Sequence, residues 1–123
     1  MQTSIIKVNR VGIGAALNFW LGVIKALQDN KFIVRKDFKT KADLNIVLSG
    51  QFENPVGFTG KRVMVLNKNP WVPAAGKVWD EMYADIVKHY YDEIIDVTEL
   101  TPEQAALRVI DYIHAEERKA DKS

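Results

Sequence analysis

The sequence has no cysteine and only two histidines, and these absences exclude several kinds of chemistry. Without cysteine there is no disulfide, no thiolate nucleophile and no Cys-ligated zinc or iron–sulfur site. His89 and His114 are too few for a multi-histidine metal site, so we expect no metal. The lack of cysteine also fits a reducing compartment, and we therefore expect a cytoplasmic protein.

The sequence also has almost no excess of charge of one sign. The chain has 123 residues with 17 Lys+Arg and 16 Asp+Glu, which gives a net charge of +1. A dedicated nucleic-acid binder usually carries a strong basic field, and this balance does not supply one. The charge balance therefore disfavours a nucleic-acid partner.

No hydrophobic run is long enough to span a membrane. The strongest candidate, 11–27, is interrupted by Asn18, Gly22 and Lys25 and is shorter than the roughly 20 apolar residues that a spanning helix needs. It is also not followed by the small residues of a signal-peptide cleavage site. The pattern instead predicts a buried helix and no membrane span.

Complete catalytic motifs are absent as well. The sequence has no G-x-S-x-G elbow and no His-x-x-x-His pair. The stretch 57–62 (GFTGKR) is not a P-loop, because Pro55 replaces its first glycine and Arg62 replaces its Ser or Thr. Glu53 is the first carboxylate to test as a general base, although a solvated loop acid is the simpler interpretation. The sequence therefore disfavours an enzyme of familiar type and leaves any cofactor undefined.

What the sequence does contain is an alternation of apolar strands and amphipathic helices. Five segments have the pattern of strands: 4–11, 32–38, 44–49, 61–67 and 93–97. Helices are expected over 15–28, over 75–91 and from Pro102 onwards. The alternation predicts an α/β protein, a compact three-layer Rossmann-like or flavodoxin-like sandwich with about five mainly parallel strands and three helices.

The last helix has an explicit start signal. Thr101 has the character of an N-cap, Pro102 suits the first helical position, and Gln104 completes a T-x-x-Q capping box. The sequence predicts a single α/β domain over 1–114 and a charged tail over 115–123 that is expected to fray.

One connection in this scheme is short. Only about five residues separate Phe38 from Leu44, whereas a parallel crossover normally takes a dozen or more. The second and third strands could form an antiparallel hairpin, or the second strand could be a short edge element reached without a helix. The sequence leaves both alternatives open.

Polar residues gather where the predicted strands end. In open parallel sheets, ligands bind outside the carboxyl ends of the strands, so these residues form the candidate ligand site. The candidates are Asn9, Arg10, Gly12, Gly14, Ser49, Gly50, Gln51, Glu53, Asn67, Lys68 and Asn69. The amides can recognise hydrogen-bonding groups, and the two cations can offset phosphate charge. At any single position, the requirements of a tight turn explain the residue equally well.

Gly12-x-Gly14 is the sharpest feature of this set. It stands between a strand and a helix, where a dinucleotide-binding fingerprint lies, and glycine lets a backbone approach a phosphate closely. The third glycine of that fingerprint is replaced by Leu17. Phosphate binding and a plain turn therefore both remain as interpretations.

A family resemblance adds to this interpretation. The stretch 92–113 (DEIIDVTELTPEQAALRVIDYI) resembles the closing strand and helix of nucleotide-handling α/β domains, including small P-loop kinases and B-type glycosyltransferases. The order of KADLNIVLSG, a Gly-rich loop and GKRVMVLNKNP is similar to the nucleotide-sugar half of a B-type glycosyltransferase. Such an enzyme reacts between two halves, and a kinase needs the phosphate loop. The resemblance therefore implies a nucleotide-type fold whose catalytic apparatus is missing or altered.

Two functions follow from the sequence. The first is a Rossmann-like domain that binds a polar ligand, a nucleotide or nucleotide sugar, at the carboxyl edge of its sheet. The alternative is a non-catalytic interaction or assembly module, a homodimer or a complex with another protein. In that case Leu17, Leu21 and the Trp- and Tyr-rich second helix would supply the apolar surface.

Overall fold

The protein has one parallel sheet with helices packed against it. The structure, a computed structural model, describes residues 2–7, 15–36, 41–48, 57–67, 85 and 88–121. The strands are β1 (Thr3–Lys7), β2 (Val34–Arg35), β3 (Leu44–Leu48), β4 (Lys61–Leu66) and β5 (Glu93–Asp96). The helices are α1 (Ala15–Asp29), α2 (described at 85 and 88–90) and α3 (Pro102–Asp121). All pairings are parallel and the strand order is β2-β1-β3-β4-β5. The predicted α/β fold class is confirmed.

The short connection is explained by a very short edge strand. β2 contains two residues and pairs in parallel with β1, with Ile5 opposite Val34 and Ile6 opposite Arg35. The edge-element alternative is therefore correct and the antiparallel hairpin is wrong. The residues beside β2 are largely exposed, and little apolar surface is available there to support a longer strand.

One side of the sheet, which we call the helix face, packs against α1 and α3. β3 is buried along its length and β4 is buried from Val63 to Leu66, and apart from Asn45 their buried residues are apolar on both sides, as in sheets covered on both faces. The helix face and its helices share one core of buried residues, among them Ile5, Ile46, Val63, Val65, Ile95, Trp20, Val23, Leu27, Val109 and Ile113.

The first helix is buried on one side only. Trp20 and Leu27 are fully buried, whereas Leu21 is 48% exposed and Lys25 is exposed. Gly22 lies where α1 meets the start of α3, because a Cβ atom there would stand 2.7 Å from Cβ of Pro102. In the part of the chain that the structure describes, no helix is long and apolar enough to cross a membrane.

The other side of the sheet, which we call the opposite face, has its own core. Ile6, Val47, Met64 and Leu66 are buried there, together with two residues from the connecting segments, Phe58 and Tyr91. The two faces therefore hold two separate apolar clusters, one on each side of the strands.

The capping box predicted for the last helix is confirmed. The backbone N–H of Gln104 donates to Oγ1 of Thr101 at 3.2 Å, and the N–H of Thr101 donates to Oε1 of Gln104 at 3.0 Å. The helix continues to Asp121, so residues 115–121 of the segment that was expected to fray are helical. The extension carries basic residues in the last turn, which stabilise a helix C-terminus through its dipole.

Candidate functional site

The strand order reverses direction between β1 and β3. From β1 the chain goes to β2 on one side, by way of α1 on the helix face. From β3 it goes to β4 on the other side, and Phe58, shortly before β4, packs on the opposite face. The carboxyl ends of β1 and β3 therefore form a topological switch point.

Asn67 is the one predicted site residue within the described part of the chain. It directly follows β4 at the carboxyl edge and is only 3% exposed, one of few buried polar side chains in the described residues. Burial of an amide is costly unless it is hydrogen-bonded. The other predicted residues lie outside the described residues: Asn9, Arg10, Gly12, Gly14, Ser49, Gly50, Gln51, Glu53, Lys68 and Asn69.

The end of β5 adds a second polar group to this edge. Both the backbone N–H and the hydroxyl of Thr98 donate to Oδ1 of Asp96, at 3.0 Å and 2.5 Å. The adjoining cleft, of about 350 Å³, is also lined by Arg108 of α3, which forms no ion pair within the described residues. Sequence reasoning missed Arg108 because only the packing of α3 places it beside a strand end.

Among the described residues, the ionisable groups with shifted pKa values lie at the other end of the strands. Lys61, the first residue of β4, places Nζ 2.9 Å from Oε1 of Glu93 and 3.1 Å from Oε1 of Glu116. Burial opposes the charge on Lys61, but these hydrogen bonds outweigh it and raise its pKa. The hydrogen bond to Lys61 lowers the pKa of Glu93.

Glu116 links this cluster to the last turns of α3. Burial acts to raise its pKa, but hydrogen bonds from Lys61 and Lys119 outweigh burial and the pKa is lowered. Tyr112 lies beside the same lysine, with Nζ of Lys61 5.6 Å from the ring centre, and burial raises the pKa of Tyr112 to about 12. A lysine with a raised pKa is a poor general base, so the cluster is a structural tie between the sheet and α3.

Asn45 is a second buried polar group that sequence reasoning missed. Its side-chain amide donates to the carbonyl oxygens of Ala42, Thr59 and Lys61, the first at 3.3 Å and the last at 3.4 Å. These bonds join the segments that lead into β3 and β4. Asn45 is fully buried within an apolar strand, and its role at the amino edge is structural.

The fold defines a class of protein but not an activity. The parallel order β2-β1-β3-β4-β5 is the flavodoxin-type arrangement of a doubly wound α/β protein. In comparisons with known proteins, no family model, no curated protein and no solved structure matches this sequence. Function must therefore be argued from the chemistry of the site, since many unrelated functions share one fold.

Proposed function

We propose that the protein binds a polar ligand of the nucleotide or nucleotide-sugar type at the carboxyl edge of its sheet, without catalysing a reaction of a familiar type. The observation that carries the proposal is the switch point between β1 and β3, with α1 on the helix face and Phe58 on the opposite face. The carboxyl ends of the strands at such a switch point are the usual ligand site of open parallel sheets.

The chemistry of the strand ends supports the same ligand class. Asn67 brings a buried amide to the edge, and an amide can both donate to and accept from a base or a sugar. Arg10 and Lys68 follow predicted strands in the sequence and supply positive charge for a phosphate. Gly12 and Gly14 are the residues that would let the backbone approach that phosphate.

A thermal-shift screen with nucleoside diphosphates and their sugar conjugates tests this proposal. A ligand at 100 times its dissociation constant should stabilise the fold by about 2.7 kcal/mol. Loss of one charge-assisted contact, in Arg10→Gln or Lys68→Gln, should weaken binding by about tenfold. Arg118→Gln, an exposed position on α3, is the control and should bind normally. No shift for any compound of the panel would overturn the proposal.

A second candidate function, assembly through an apolar helix surface, is favoured by two exposed leucines. Leu21 of α1 is 48% exposed and Leu107 of α3 is 55% exposed, on two helices that pack against each other. Light scattering after size exclusion should then show a dimer, which Leu21→Lys converts to a monomer. A monomer at all concentrations would exclude self-association.

A further inference from the structure

A second cleft opens at the amino edge of the sheet, beside β1 and β2. Its volume is about 500 Å³, within the range of small-molecule sites. The walls come from residues 2–5, 31–33, 35 and 41–42. Among the described residues, these include three cationic residues, Lys31, Arg35 and Lys41, and no acidic residue.

No acidic side chain of the described residues pairs with the three cations. None of them forms an ion pair with any residue that the structure describes. Asp29 is paired with Lys25 at 3.0 Å, and Oδ2 of Asp43 accepts the backbone N–H of Gln2 at 2.8 Å. The described lining of the cleft therefore carries a net positive charge, and concave walls of low dielectric strengthen the potential of such a lining.

Lys31 occupies a backbone position that glycine would fill better. Its N–H donates to the carbonyl of Gln28 at 2.9 Å, and that of Phe32 donates to the carbonyl of Leu27 at 3.0 Å. These two bonds form a Schellman motif at the C-terminus of α1. Lys31 is the left-handed residue of the motif, with a φ of 72°, a conformation that is unfavourable for a residue with a side chain. A lysine held in a strained conformation at the wall of a cationic cleft indicates a use for its side chain.

The cleft also has an apolar wall. Ile33, which is 77% exposed, provides an apolar wall beside the cations.

We propose that this cleft is a second ligand site, which binds a soluble small molecule bearing phosphate groups. The three cations hold the phosphate oxygens by charge-assisted hydrogen bonds, and the apolar wall packs against the organic part of the molecule. The site lies at the opposite edge of the sheet from the proposed nucleotide site and depends on none of its residues.

Titration with inorganic pyrophosphate, followed by calorimetry and by ¹⁵N chemical shifts at low ionic strength, tests the proposal. The wild-type protein should bind saturably, with the largest shifts at the amides of Thr3, Lys31 and Lys41. Lys41→Gln should weaken binding by about tenfold, because it removes one charge-assisted contact. Lys88→Gln removes the same charge from an exposed position outside the cleft and should bind normally.

Lys31→Gly separates a binding role from a structural one. Glycine relieves the positive φ, so the melting temperature should rise, while pyrophosphate affinity should fall by about tenfold. Unchanged affinity in Lys31→Gly, or shifts that are not saturable, would overturn the proposal.

A vesicle-binding experiment distinguishes a soluble ligand from a membrane. Binding to vesicles of anionic lipid without binding of soluble pyrophosphate would also overturn the proposal and would indicate that the cleft binds a membrane surface. Lys68→Gln changes the proposed nucleotide site only, so this variant should bind pyrophosphate as the wild type does. The two proposals can therefore fail separately.

Discussion

Asn45 is a fully buried polar residue in a strand that is otherwise apolar. Its amide bonds to three backbone carbonyls at the amino edge of the sheet, and through them it connects the segments that precede β3 and β4. The pattern LNIVLS predicts an interior strand but contains no sign of this network. The partners of Asn45 are up to 16 residues away in sequence and meet it only in the folded sheet.

Replacing Asn45 by aspartate should be strongly destabilising. The substitution puts a carboxylate against three carbonyl oxygens, which lose their donor and repel the new charge. We expect a loss of about 3 kcal/mol in the free energy of unfolding at pH 7, measured by urea denaturation. Asn18→Asp, an exposed change on α1, should stay within about 0.5 kcal/mol. Equal stability of the two variants would contradict the assigned role.

Gly60 occupies a position where both the backbone conformation and the surrounding atoms require glycine. It has a φ of 77°, and a Cβ atom there would stand 2.4 Å from the carbonyl oxygen of Ala42 and 2.6 Å from that of Asp43. Gly60→Ala should therefore cost at least about 2 kcal/mol of unfolding free energy in a urea titration, from the positive φ and the displaced backbone together. A loss below about 0.5 kcal/mol would show that the turn has another conformation.

At the scale of elements, the start of α3 could be predicted because its signal is local. Thr101, Pro102 and Gln104 lie within one turn, and the capping bonds form between these same residues. The length of β2 could not be predicted in this way, because a strand extends only as far as its neighbours bury it. Of the predicted strand 32–38, the structure describes 32–36, and two of these are strand residues; Ile33 beside them is 77% exposed.

The capping bonds give a direct prediction for α3. Thr101→Ala removes the oxygen that accepts the N–H of Gln104 and should lower the free energy of unfolding by about 1 kcal/mol. Thr101→Ser keeps that oxygen and should be close to the wild type. Urea denaturation followed by circular dichroism distinguishes the two variants, and similar losses in both would argue against the cap.

The Lys61 cluster makes the attachment of α3 depend on pH. The pKa values of Glu93 and Glu116 are lowered on folding, so their contribution is present at neutral pH and is lost as pH falls below the ordinary value of 4.5. The raised pKa values of Lys61 and Tyr112 stabilise the fold below their ordinary values of 10.5 and 10.0, and this is lost at higher pH. From about pH 5 to pH 10 the cluster should therefore contribute steadily.

Glu116→Gln tests this dependence. The variant loses the ion pairs with Lys61 and Lys119, and we expect it to be about 1 kcal/mol less stable than the wild type at pH 7. The difference should shrink as the pH falls below 4.5 towards pH 3 and the wild-type carboxylates begin to take up protons. Glu117→Gln, its exposed neighbour on α3, is the matched control and should show little change at either pH. A difference that persists undiminished at pH 3 would show that the ion pairs are not its source.

At the scale of the whole molecule, the parallel order of the strands places the switch point, and with it the proposed nucleotide site, at the carboxyl edge. The sequence predicts the class of fold because apolar strands alternate with amphipathic helices along the chain. It does not predict the amino-edge cleft, which forms only when residues 2–5, 31–33 and 41–42 come together. Of the predicted carboxyl-edge residues, Asn67 lies at its expected strand end, and the proposed ligand site depends on that edge.

A ¹⁵N chemical-shift titration with a nucleoside diphosphate and its sugar conjugate tests the central claim most directly. Binding at the carboxyl edge predicts saturable shifts centred on Asn67 and on the residues that follow β1 and β3. Lys68→Gln should weaken these shifts, and Arg118→Gln should leave them unchanged. Shifts confined to Thr3, Lys31 and Lys41 at the amino edge, or no shifts at all, would contradict the claim that this protein binds a nucleotide-type ligand at the carboxyl ends of its strands.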